Sequence, residues 1–427
     1  MDKRIEAFQT FLNSANSVYH VTAQLVGLLD NAGYTCLREN EEWELIPGGK
    51  YYLTRGASAL IAFRIPQDAP TGFLFSASHA DHPSFKVKEN GELTGKYTRL
   101  AVEKYGGMLI APWLDRPLSI AGRVLVETED GVQSRLVDID KDLLMIPNVA
   151  IHLNRKVNEG YSWNLAVDTL PLLGGENAKG KLDAILQEAA GGKILGHDLH
   201  LYVRQKAVVW GVDGEYISAQ ALDDLACVWG CTQGFLNGKS SCAVPVLCVF
   251  DNEEVGSLSA QGADSGLLEG TLGRICGKMG WSMEQLLAQS FMVSADNAQA
   301  LHPNHPEYAD ATNAPVVNGG LVVKFNADQK YATDGLSAAL FRKLCSGADV
   351  PVQTFYNRAD MAGGSTLGAI ALSHVAVPTA DIGLPQLAMH SCFETVGVKD
   401  VVYLADAMAA YYGANLQMRA DGSYILK

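Results

Sequence analysis

Positive charge is scarce, cysteine pairs are missing and no long apolar run occurs anywhere in the 427 residues. The 33 Lys and Arg residues face 47 Asp and Glu, a formal net charge of -14. A field of that sign repels phosphate backbones and anionic lipid, which excludes nucleic acid and membrane surfaces as partners. No apolar stretch is long enough to cross a bilayer. Met1 to Ala7 carries Asp2, Lys3, Arg4 and Glu6 with no apolar run behind it, so no secretory signal is expected. The eight cysteines lie scattered without a CxxC pair, which fits reduced thiols and a cytoplasmic location. Cys227 and Cys231 share a helical spacing and read as two small buried side chains on one helix face rather than as metal ligands.

The chain does have ample core material, 48% hydrophobic residues, and 42 glycines for tight turns. Its length exceeds what one core organises, so a large domain and a second one are expected. Val18, Val21, Leu25, Leu28 and Leu29 form a helical stripe opened by Ser17 as cap. Six short apolar runs then read as buried strands: Phe73 to Ser78, Val244 to Phe250, Phe291 to Ser294, Leu321 to Phe325, Val352 to Tyr356 and Val375 to Ile382. Helical segments fall between them, such as Leu222 to Leu236, Ser365 to Leu372 and Val401 to Tyr412. The pattern predicts a three-layer α/β/α sandwich with a mixed, mostly parallel sheet. From about Lys88 to Ile217 the texture changes to short stretches broken by turns, including Ser119 to Glu127, Val132 to Ile139 and Leu199 to Trp210. This predicts an inserted β-rich domain at 89–218 between catalytic halves at 1–88 and 219–427.

In open α/β sheets ligands bind beyond the carboxyl ends of strands, so the residues just past each run are informative. His79-Ala80-Asp81 comes after the first, Asp251-Asn252-Glu253-Glu254 after the second and Asp296-Asn297 after the third, while a loop ending at His390 comes after the last. Imidazole nitrogen mixed with carboxylate oxygen, without thiolate, suits a hydrolytic zinc, cobalt or manganese site. Two such metals need a shared anion between them, and Asp223 or Asp224 at a helix start is suited to that place. The period of two in His79-x-Asp81 allows the Asp81 carboxylate to accept the His79 ring N–H. Glu253 and Glu254 are adjacent and cannot point the same way, so one can hold metal while the other accepts a proton from the attacking water. Singly, each of these residues is better explained as a cap, a solvated charge or a core histidine. Their joint occurrence after successive strands argues for a site.

These stretches resemble the aspartyl aminopeptidase family of zinc metallopeptidases. The resemblance runs over nearly the whole chain, from Phe11-Leu12 through His79-Ala80-Asp81-His82-Pro83, Tyr105-Gly106-Gly107 and Ala221-Leu222-Asp223-Asp224-Leu225 to Gly364-Ser365-Thr366. Its most specific strings are Asp251-Asn252-Glu253-Glu254-Val255-Gly256-Ser257 and Pro385-Gln386-Leu387-Ala388-Met389-His390-Ser391. The resemblance implies a zinc exopeptidase fold and two Zn2+ per subunit, one held by His79, Asp223 and Asp296 and the other by Asp223, Glu254 and His390. It implies Glu253 as general base, Lys324 pairing with an acidic substrate side chain and Tyr331 as a further substrate contact. It also implies that the inserted domain dimerises, that His152 serves a neighbouring subunit's site, and that the chain assembles as a tetrahedral homododecamer. The expected activity is release of an amino-terminal Asp or Glu from peptides. The departures surround the substrate: Gln299 stands for a common His, Ala359 for Asn, Gly363 for Cys and Ala221 for Arg. They leave open a two-zinc exopeptidase, dipeptidase or deacylase of different or broad specificity. A scaffold with an inert centre is disfavoured, because scaffolding makes no demand for five ligands and a base.

Overall fold

The computed structural model describes residues 2–239, 242–364 and 366–426. Ser365, expected to open a helical segment, therefore lies outside the described residues.

Helix Lys3–Ser14 precedes the expected stripe, which forms helix Val18–Asn31 with the Ser17 hydroxyl accepting the His20 N–H. The central sheet has nine strands in the spatial order Thr35–Cys36, Lys50–Arg55, Ala59–Arg64, Val244–Phe250, Phe73–His79, Phe291–Ala295, Thr379–Gly383, Leu321–Phe325 and Val352–Tyr356. Five neighbouring pairs are parallel and three antiparallel, the mixed and mostly parallel arrangement expected. The interior strands are buried on both faces, which is why they read as continuous apolar runs.

Alternate side chains feed two cores. Leu74, Leu247, Val249, Phe291 and Val293 pack toward helices Lys3–Ser14, Val18–Asn31, Leu222–Asn237 and Val398–Gly413. Phe73, Phe75, Val246, Cys248 and Met292 pack toward helices Leu267–Met279 and Leu367–Ala371 on the other face. Helices Leu222–Asn237 and Val398–Gly413 approach closely because Gly230, Gly234 and Gly238 lie under Leu404, Met408 and Tyr412. A Cβ on Gly234 would sit 2.2 Å from that of Met408. Cys227 and Cys231 are buried on this helix, as small apolar residues should be.

A second, six-stranded antiparallel sheet runs between Ser84 and Val203 and has its own core, including Phe85, Leu118, Ile120, Leu199 and Leu201. The stretch Leu199 to Trp210 ends one strand and holds another of a different sheet, because the chain breaks over residues 204–207 before Val208–Trp210 joins a small five-stranded sheet. One expected strand is corrected. Val375 to Ile382 is strand only from Thr379, since Pro378 has no N–H to pair and Val375 and Val377 pack instead as an irregular connector.

Candidate metal centre

Strand register aligns the site. Phe250 pairs with His79, and Ser294 with Ala77, so Asp251 and Asp296 emerge beside His79 at one sheet edge. Asp223 comes from the start of helix Leu222–Asn237, where Asp223 and Asp224 depart from helical angles. His390 sits at φ +63° in the connection between two strands of the small sheet.

Within this cluster the Asp223 carboxylate stands between two imidazoles, Oδ1 3.7 Å from His79 Nε2 and Oδ2 3.6 Å from His390 Nε2. Glu254 Oε1 lies 3.5 Å from His390 Nε2. Potential ligand atoms of His79, Asp223 and Asp296 lie within 4.8 Å of one another, as do those of Asp223, Glu254 and His390. Both rings leave Nε2 free, because their Nδ1 atoms face main-chain oxygens: His79 that of Asp81 at 3.0 Å and His390 that of Gly107 at 2.6 Å. Of the two adjacent aspartates, Asp223 occupies the shared position, whereas Asp224 accepts the main-chain N–H of His79.

Two expected details are corrected. The Asp81 main-chain oxygen, not its carboxylate, is nearest to His79 Nδ1, the carboxylate Oδ1 standing off at 3.4 Å. Extended geometry ends at His79, so the period of two does not carry to Asp81. The Asp81 carboxylate instead accepts the Tyr105 hydroxyl and the main-chain N–H groups of Glu253 and Glu254. Glu253 and Glu254 do face the same space, with ligand atoms of both within 4.8 Å of each other and of a His79 ring nitrogen. The alternation of a strand is lost there because left-handed Asn252 leads into a short 3-10 turn, Glu253–Val255.

Burial pushes the Glu254 carboxyl well up, and Asp223 beside it adds to the effect. Burial likewise raises Asp296 despite the Lys324 cation, and lifts Glu253 to about 7 against the pull of His79 and with the push of Asp296. For His390 burial opposes protonation, but the neighbouring Asp223 and Glu254 carboxylates lift it to about 10. Carboxylates crowded this way retain protons unless a cation replaces them. Asp223 Oδ1 and Asp224 Oδ1 are buried without a hydrogen-bond partner among the described residues. Oxygen and free imidazole donors around orphaned buried oxygens fit a divalent cation such as zinc.

The cluster floors a cleft of about 240 Å³ whose walls include Gln299, Lys324 and Tyr331. Lys324 is 2% exposed, and its ammonium donates to the main-chain oxygen of Asp296 at 2.7 Å and lies 5.2 Å from the Tyr331 ring centroid. Burial opposes its charge, but the Asp296 carboxylate, with Asp381 behind it, keeps the ammonium protonated. His152 is exposed on the second-sheet module and does not line its own chain's cleft. At Gly363 the volume of a larger side chain is taken by the Asn357 amide, 2.1 Å from where a Cβ would lie.

Sequence reasoning missed Glu394. Its buried carboxylate accepts the main-chain N–H of Asp223 at 2.9 Å and of His390 at 2.6 Å. Burial and the Asp223 charge push it up to about 8. A lone Glu four residues beyond His390 gives no sequence signal for that role.

Residues 11–412 match the family described as aminopeptidase I zinc metalloprotease (M18). A probable M18 family aminopeptidase 2 of Clostridium novyi is 40% identical over 418 residues, covering 94% of this chain and 96% of that protein. Among solved structures, the chain superposes on the Ape4 and Nbr1 complex with a TM-score of 0.92 at 34% identity, covering 96% of this chain and 85% of that one. It superposes on the S. cerevisiae mApe1 dodecamer with a TM-score of 0.85 at 27% identity, covering 96% of each chain. The expected fold is thus that of known aminopeptidases, the family includes the aspartyl aminopeptidases, and the chain belongs to the M18 family of zinc metallo-aminopeptidases.

Proposed function

We propose that this aminopeptidase releases an amino-terminal Asp or Glu from peptides using two zinc ions. The observation that carries the two-metal reading is Asp223, whose two oxygens face different imidazoles, the arrangement a bridging carboxylate requires. His79 and Asp296 would complete one metal's protein ligands, and Glu254 and His390 the other's. When bound, the zinc pair supplies Lewis acidity and makes water acidic enough to lose a proton near neutrality. Glu253, which faces the same space as the candidate ligands, takes that proton and delivers it to the leaving amine. The Asp81 carboxylate holds the Glu253 main chain in place while this happens.

The preference for acidic residues is supported by Lys324, a buried, charged ammonium on the cleft wall beside Tyr331 and Gln299. A substrate carboxylate reaching it gains a charge-assisted hydrogen bond in a site with little water. Assembly into dimers and a tetrahedral homododecamer is proposed from the family resemblance and from the relative described as a dodecamer. It is also supported by exposed Val149, Ile151 and Leu153 around His152, an apolar surface suited to a second copy. The separation into catalytic halves at 1–88 and 219–427 with a dimerising insertion at 89–218 belongs to the same proposal, as does a cytoplasmic location. No helix among the described residues is long and apolar enough to cross a membrane.

The deciding experiment is cleavage of an Asp- versus Leu-terminated peptide series, with metal analysis, before and after chelation. Two metals per chain and a preference for Asp support the proposal. One metal, or faster cleavage of Leu peptides, overturns the corresponding half.

A further inference from the structure

We propose that Tyr105-Gly106-Gly107 is a positioning strap through which the six-stranded sheet orients both the Glu253–Glu254 turn and the His390 ring. The proposal rests on the reading of those residues as the metal centre and its base. Three consecutive residues at the end of strand Tyr97–Tyr105 each meet a different part of the site.

Tyr105 acts on the turn. Its hydroxyl donates to Asp81 Oδ2 at 2.7 Å and accepts from Asn252 Nδ2 at 2.9 Å. The same Asp81 carboxylate accepts the main-chain N–H of Glu253 at 3.1 Å and of Glu254 at 3.2 Å. One phenol therefore fixes the carboxylate that anchors the turn and the left-handed Asn252 that begins it. Tyr105 does not line the substrate cleft and faces a separate cavity of about 220 Å³, so any effect on turnover must pass through other residues.

Gly106 adopts φ +74°, and a Cβ there would come within 3.1 Å of Glu254 Cβ and 3.3 Å of Pro83 Cα. Only glycine allows the strap to lie this close to Glu254. Gly107 then offers its main-chain oxygen to His390 Nδ1 at 2.6 Å, and Leu109 returns a main-chain N–H to the His390 oxygen at 2.9 Å. These bonds fix both the ring and the backbone of His390 and leave Nε2 facing Asp223 and Glu254. The second sheet thus contributes orientation without contributing a ligand.

Tyr105→Phe keeps the ring, which packs edge-on against His200 at 5.5 Å, and removes only the hydroxyl. The test compares wild type, Tyr105→Phe and Gly106→Ala as full chains. Zinc affinity is read by chelator competition, the cobalt-substituted absorption spectrum is recorded, and kcat, KM and thermal midpoint are measured. Tyr105→Phe should lower kcat about tenfold or more with KM changed less than about threefold, since a loosened base costs turnover rather than binding. Its cobalt band should shift while the thermal midpoint moves by only a few degrees. Gly106→Ala should weaken zinc at its looser site by about tenfold or more, because Glu254 is displaced. A Tyr105→Phe protein with wild-type kcat and cobalt spectrum overturns the strap, even if Gly106→Ala fails to fold. So does a kcat loss that merely tracks a collapse in thermal midpoint. Wild type that takes up neither zinc nor cobalt would instead refute the metal centre itself.

Discussion

The ammonium of Lys324 is pinned by Asp296, 2.7 Å from its main-chain oxygen and 3.7 Å from its carboxylate, so a buried cation is held beside a candidate metal ligand. Asp296 thereby ties the proposed specificity pocket to the candidate metal centre. Lys324→Met keeps an unbranched side chain one atom shorter and removes the charge. It should reduce kcat/KM for Asp-terminated peptides by about 10- to 100-fold, the worth of one charge-assisted hydrogen bond. Leu-terminated peptides should change by less than about threefold. Steady-state kinetics on paired peptides check this, and an equal loss on both would remove Lys324 from substrate recognition.

Glu253→Gln tests the base. The amide preserves size and the main-chain bond to Asp81, but it cannot accept a proton from water. Turnover should fall about 100-fold or more while both metals stay bound and the thermal midpoint is kept. Near-normal kcat in a metal-replete variant would reassign the base.

The residues at this centre are legible where local pattern governs them. Strands Phe73–His79, Val244–Phe250 and Phe291–Ala295 are buried on both faces, so their apolar runs stop sharply at the polar residues they present. The sandwich emerges from the same runs, and the aminopeptidase family from the strings at Asp251 and Pro385. The alignment of Asp296 with His79 depends on which strands pair, a long-range fact that no local pattern carries. Glu394 and Tyr105 are invisible at that level because they hold main-chain groups and other carboxylates, a task that imposes no spacing. For Asp81 the spacing gives the right neighbourhood but the wrong atom, since the chain leaves extended geometry one residue too early.

Metal binding should release protons. Burial and mutual repulsion lift the carboxyls of Glu254 and Asp296 above their usual range, and His390 reaches about 10. The metal-free centre therefore holds at least the His390 proton at neutral pH, which a cation must displace. Calorimetric zinc titration at pH 7 in buffers of differing ionisation enthalpy should reveal a net release of about one proton or more. Chelation should also lower the thermal midpoint, because ligand bound only to the native state stabilises it. A buffer-independent heat would contradict this account of the cluster.

Acid should remove the stability that two buried neutral imidazoles contribute. Burial lowers the imidazole of His200 to about 3 and that of His82 to about 4, both on the wall of the cavity that Tyr105 faces. Their folded values lie below the ordinary 6.5, so as pH falls from about 6.5 the unfolded chain takes up protons that the folded chain refuses. The stability these neutral rings contribute is fully present above that pH and is lost as pH drops toward 4 and then 3. The pH dependence of denaturant unfolding between pH 7 and 5 reads the net proton difference, to which these two rings contribute up to about two protons bound by the unfolded state alone. His200→Gln, which keeps a polar partner for Ser84, should reduce that uptake by up to about one proton. An unchanged pH slope in the variant would mean that His200 is protonated as readily in the folded chain as in the unfolded one.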